Sequence, residues 1–182
     1  ATARRPRNQT DGYQPLPLAI TAEDVRQAAR RIAGHAVYTP LLESSALNAL
    51  IGGRALIKFE GAQHTGSFKF RGAYNRLAQI AEGDRAAGVV AWSSGNHAQG
   101  VAAAARLLGM PATIVMPADA PAIKIANTRA LGAEIVTYDR FTESREEIAT
   151  ALADARGAIL VPSFDDPHII AGQGTVGLEI LD

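Results

Sequence analysis

The stretch GVVAWSSGNHAQGVAAAARLLGMPATIVM, residues 88–116, decides the fold. It opens on a short apolar run, Gly88 to Trp92, and crosses a polar loop. An alanine-rich helical pattern follows, closed by Gly109, and then a second apolar run, Ala112 to Met116. Two further runs, Glu134 to Tyr138 and Ala158 to Val161, continue the alternation, so residues 88–161 read as β-α-β-α-β-α-β. Crossovers of this length predict four parallel strands joined in the right-handed sense, with helices on both faces. The expected class is α/β.

Upstream, Thr21 and Asp24 form a helix-start pair, and Val25, Ala28, Ala29 and Ile32 recur at helical spacing until Gly34. A second helix is expected after Pro40, ending near Gly52. Ala55 to Phe59 reads as a strand. Ser67 then offers a cap for a helix whose core face is Phe70, Ala73, Leu77 and Ile80. Downstream, Thr175 to Asp182 is a helical pattern with no terminating glycine or polar tail, which leads us to expect that the chain stops inside a larger fold.

Bulk properties narrow the function classes. The chain has 182 residues and 47% hydrophobic content, enough for a buried core. Lys plus Arg and Asp plus Glu number 18 each without long blocks of one sign, which argues against nucleic acid and for a small-molecule partner. The absence of cysteine excludes disulfides and thiolate metal sites and fits a cytoplasmic location. Residues 1–18 carry three arginines and three prolines and read as a disordered arm rather than a signal peptide. The longest apolar region, Val101 to Met116, is broken by Arg106, Gly109 and Pro111, so no membrane span is expected. His35, His64, His97 and His168 are scattered without zinc-type spacing, and no metal site is expected.

Lys69 stands out within Thr65-Gly66-Ser67-Phe68-Lys69-Phe70-Arg71-Gly72-Ala73. A cation in the first turn of a helix meets the positive end of the dipole, and the flanking aromatics desolvate it. Both effects lower its pKa, which suits a Schiff-base lysine. A solvated lysine near a cap is the plainer use of the same residue. The wider stretch Gln63 to Tyr74 resembles the cofactor-lysine motif of threonine dehydratases and serine racemases. These belong to the second fold type of pyridoxal-phosphate enzymes, the tryptophan synthase β-like fold. The resemblance implies that Lys69 carries pyridoxal 5′-phosphate and that Phe68 packs against its ring.

Ser93-Ser94-Gly95-Asn96-His97-Ala98-Gln99-Gly100 follows the first strand of the parallel unit, where unpaired helix N–H groups attract anions. An ordinary turn with Ser94 or Asn96 as a cap is the plainer alternative. The loop is similar to the asparagine loop of the same family. That likeness implies a cofactor contact for Asn96 and a hold on the substrate carboxylate by Ser93, Ser94, Gly95, Asn96 and His97. It also implies an acid/base role for Ser94, which faces the cofactor opposite the lysine in serine racemases. Arg145 aligns with an arginine that helps hold the substrate carboxylate there. A solvated helix arginine is its simpler role. Gly172, Gly174 and Gly177 satisfy a literal G-x-G-x-x-G, but no strand precedes them, so a dinucleotide site is rejected.

The resemblance covers roughly residues 20–182. It implies a small domain over 88–161, with 19–87 and 162–182 forming parts of an incomplete large domain. The implied activity is a dehydratase (ammonia-lyase) that converts L-threonine, L-serine or a similar 3-hydroxy amino acid to a 2-oxo acid and ammonia. Serine racemase activity is the alternative. The chain could also be catalytically incomplete, as a fragment or as a subunit whose missing half comes from a second chain. A homo-oligomer is expected. An NAD-type domain is the remaining reading that the parallel α/β pattern permits.

Overall fold

The four apolar runs become a single parallel sheet. In the computed structural model, which describes residues 20–182, these strands are β3 (Val89–Trp92), β4 (Ala112–Pro117), β5 (Glu134–Tyr138) and β6 (Ile159–Leu160). Their order is β5-β4-β3-β6, all parallel, with Val89 opposite both Ala112 and Ile159, and Thr113 opposite Glu134. The arm expected over residues 1–18 lies outside the described residues.

Alternation along each strand divides the core between the two faces. Val89, Ala91, Ile114 and Met116 point to one face, covered by α4 (Asn96–Leu107) and α5 (Ala122–Ala130), with α3 (Lys69–Leu77) packed on the outer side of α4. Val90, Val115 and Tyr138 point to the other and pack on Ala149 and Ala153 of α6 (Arg145–Arg156). The alanines of α4 serve close approach: Ala98, Ala102, Ala104 and Ala105 are buried, and a Cβ on Gly100 would lie 3.1 Å from the Lys69 and Phe70 backbone. The alanine run thus seats α4 against the start of α3.

Two expectations need correction. The segment after Pro40 is first a strand, β1 (Leu41–Glu43), paired antiparallel with β2 (Leu56–Lys58), and only then α2 (Ser45–Ile51), capped by Ser44 and ended by left-handed Gly52. The strand forms because a partner some fifteen residues away supplies its ladder, which local periodicity cannot reveal. Ser67 does not cap α3. It is extended, α3 begins at Lys69, and Phe68 occupies the cap position without a side-chain bond. The preceding residues make two short 3₁₀ turns, with Thr65 at φ 60°.

α1 (Ala22–Ile32) carries the expected capping box of Thr21 and Asp24. α7 (Pro167–Leu181) is capped by Asp166, whose carboxylate accepts from the His168 and Ile169 N–H groups. Gly172, Gly174 and Gly177 lie inside α7 rather than in a phosphate-binding loop. A Cβ on Gly172 would meet the Arg71 carbonyl and Gly72 Cα at 2.7 Å, so α3 and α7 touch backbone to backbone.

Arg71 locks this contact electrostatically. Fully buried, it donates to both oxygens of Glu60 at 2.7 and 2.9 Å, and to Glu179, Thr175 and the Val37 carbonyl. Lys58 pairs with the same Glu179. Burial opposes the Arg71 charge, but the hydrogen bonds it donates to the two carboxylates outweigh it and raise its pKa above the ordinary value. The network fastens α3 to the β2 strand, the turn at Glu60 and α7. No helix among the described residues is long and apolar enough to cross a membrane.

Candidate active site

The chain runs β3 to β4 to β5 in one direction across the sheet and then returns to place β6 on the other side of β3. The loops leaving β3 and β6 therefore diverge at their carboxyl ends, and that opening is where α/β sheets bind ligands. Ser93–His97 leaves β3 here, and Pro162 and Ser163 leave β6.

Lys69 reaches this opening from the start of α3. Its Nζ donates to the Ser163 carbonyl at 3.1 Å and stands 5.2 Å from the centre of the Phe68 ring. Partial burial lowers its pKa from the ordinary lysine value. His97 is buried below, and its Nε2 donates to the Val161 carbonyl at 3.2 Å, which leaves Nδ1 bare and without a hydrogen-bond partner among the described residues. Burial, reinforced by the nearby Lys69 ammonium, outweighs the Val161 bond and pushes the His97 pKa down to about 4, so the ring is neutral. Residues 161–163 thus hold both Lys69 and His97.

The loop itself is open to a ligand. Neither Ser94 nor Asn96 caps α4: Gly95 is the cap residue and makes no side-chain bond, and the first turn carries no acidic residue. The Gly95 N–H is satisfied by Ser93 Oγ at 3.2 Å. Asn96 is exposed, while Ser93 and Ser94 are half-buried.

Ser94 also borders a cleft of about 420 Å³ whose other walls include Tyr138, Arg140, Glu143 and Arg145. The structure therefore brings Arg145, from the first turn of α6, to the same cleft as Ser94. Arg145 is half exposed and, among the described residues, its one ion pair is the loose 3.8 Å contact with its neighbour Glu146. Lys69, Phe68 and Asn96 do not line that cleft.

Sequence reasoning assigned no role to three groups at this opening. The Val161 and Ser163 carbonyls left no signal, because any residue supplies one. Lys124 did: it occupies the first turn of α5, the same electrostatic anomaly as Lys69, and a Cβ on Gly95 would lie 3.7 Å from its Nζ.

The arrangement suits an aromatic aldehyde bearing anionic groups. A lysine amine with lowered pKa lies beside an aromatic ring, next to an uncapped helix start. The buried Thr65 and Ser67 hydroxyls have no partner among the described residues, leaving polar atoms for a ligand to engage.

Known proteins agree. The chain is 57% identical over 159 residues to an L-threo-3-hydroxyaspartate ammonia-lyase of a Pseudomonas species, covering 87% of this chain and 50% of that protein. It is 49% identical to an L-threonine ammonia-lyase of Thermotoga maritima, covering 90% of this chain and 41% of the relative. The structure of maize serine racemase superposes with a TM-score of 0.87 at 40% identity, covering 90% of this chain and 50% of that one. The chain thus spans about half the length of these relatives. With the family model for pyridoxal-phosphate dependent enzymes matching residues 32–182, the chain belongs to that family and has the fold type II architecture.

Proposed function

We propose that the whole protein is an ammonia-lyase that converts L-threonine, L-serine or a similar 3-hydroxy amino acid to a 2-oxo acid and ammonia. The observation that carries this reading is the place of Lys69, whose amine points into the opening between the loops leaving β3 and β6, its pKa lowered by burial. In this reading residues 88–161 form the small domain, and 19–87 with 162–182 belong to the large one.

Bound pyridoxal phosphate supplies an electron sink for the charge left when the α-proton departs. Lys69 Nζ would hold the cofactor, and its amine would be the base that takes that proton. Phe68 and Asn96 are the residues that would contact the cofactor, Phe68 through its ring and Asn96 through its side-chain amide. The Ser93–His97 backbone receives the substrate carboxylate at the open start of α4, with Arg145 at the far side of Ser94. Loss of the β-hydroxyl as water leaves an enamine, which takes up water to give the 2-oxo acid and ammonia.

A racemase is the second reading, favoured by Ser94. Its hydroxyl borders the cleft that Lys69 does not line, so a proton could be delivered from another direction than the one by which Lys69 removes it. The test is direct. The purified protein should show the visible absorbance of lysine-bound cofactor, and Lys69→Ala should abolish it. A colourless protein that ignores added cofactor overturns the reading. With L-serine and L-threonine supplied, 2-oxo acid should accumulate, whereas D-serine alone would establish the racemase.

A further inference from the structure

We propose that Lys124 is a substrate-binding residue whose ammonium contacts the α-carboxylate held at the Ser93–His97 loop. This rests on the substrate site described above.

Position is the first argument. Lys124 is half-buried, and its Nζ would stand 3.7 Å from a Cβ built on Gly95, in the middle of the loop. Gly95 leaves that space open, so the ammonium faces the gap above the uncapped start of α4.

Electrostatics is the second. Lys124 lies in the first turn of α5, where the helix dipole repels a cation, and no acidic residue there offsets it. The first turns of α1 and α6, by contrast, hold Glu23 and Asp24, and Glu146 and Glu147. Among the described residues, Lys124 makes no ion pair or side-chain hydrogen bond. Only its backbone is engaged, its N–H with the Pro121 carbonyl and its own carbonyl with the Thr128 hydroxyl. A half-buried ammonium without a counter-ion, placed against a dipole and beside a row of free N–H groups, is poised for an anion supplied from outside. A carboxylate at the loop completes it: the N–H groups of α4 bind one oxygen and Lys124 the other.

The test compares L-alanine, which binds without a leaving group to eliminate, with L-alaninamide, which lacks the carboxylate charge. In the full-length holoenzyme, Lys124→Met should raise the Kd of L-alanine and the KM of the reacting substrate about 10- to 100-fold. The Kd of L-alaninamide, kcat and the cofactor absorbance should change little, and Lys124→Arg should restore most of the affinity. Equal weakening of both ligands, or unchanged L-alanine affinity, overturns the proposal. If Lys124→Met fails to fold, Lys124→Gln with the same ligand pair decides it. A wild-type enzyme that binds no cofactor overturns the site reading itself, a separate result.

Discussion

Alanine placed at two glycines of one helix should move stability in opposite directions. At Gly172 a Cβ would stand 2.7 Å from the Arg71 carbonyl oxygen and Gly72 Cα, and 2.8 Å from Asn75 Cβ. Optimal carbon contacts begin near ~3.5 Å, so α3 and α7 must part by about 0.8 Å. Two of the three obstacles are backbone atoms, which cannot swing aside, so the overpacking cost falls in the upper part of the usual range, about 2–3 kcal/mol. Helix propensity returns about 1 kcal/mol. The net loss for Gly172→Ala is about 1–2 kcal/mol. Gly177 has no atom within 4 Å of the same position, so Gly177→Ala keeps only the propensity gain, about 0.5–1 kcal/mol. Gly174, which faces only the Val25 side chain at 3.1 Å, should fall between them. At about 2–4 °C per kcal/mol, thermal unfolding followed by far-UV circular dichroism should separate Gly172→Ala from Gly177→Ala by several degrees, with opposite signs. Equal midpoints for the two variants would refute the claim that a backbone contact joins α3 to α7.

Acid sensitivity should trace to His97. Its pKa is about 4 in the folded protein against an ordinary 6.5, so as pH falls through this window the unfolded chain binds a proton first and stability is lost. The total is about 3 kcal/mol between pH 6.5 and 4, and urea unfolding of His97→Asn should show a flatter pH dependence; an unchanged slope would count against a buried neutral ring. Arg71→Met should cost about 3–5 kcal/mol, because Glu60 loses its cation and Glu179 keeps only Lys58. A loss below about 1 kcal/mol in urea titration would mean that the carboxylates find water instead.

Much of the candidate site was legible as a proposal because its signals are short-range. Lys69 announced itself as a cation at a helix start, and Ser93–His97 as a polar loop between a strand and a helix. The error at Ser67 shows the limit. Serine followed by a helical pattern is a sound local cap signal, yet the two 3₁₀ turns before α3 hold this residue extended and turn its hydroxyl into the interior. The strand at Leu41–Glu43 was missed for a related reason, since three residues carry no usable period and their ladder partner lies beyond α2.

The amino-acid order alone determined the α/β alternation, the parallel sheet and the candidate lysine, because apolar period, caps and dipole effects operate within a few residues. Tertiary structure alone decided that the carbonyls of Val161 and Ser163 hold His97 and Lys69, that Arg145 shares a cleft with Ser94, and that Lys124 faces Gly95. Each of these joins segments tens of residues apart: the return of the chain from β5 to β6 sets Val161 and Ser163 beside His97 and Lys69, whereas the pairing of β3 with β4 sets Lys124 near Gly95. Such meetings depend on strand order, and the local pattern of a strand does not say which neighbour it will choose.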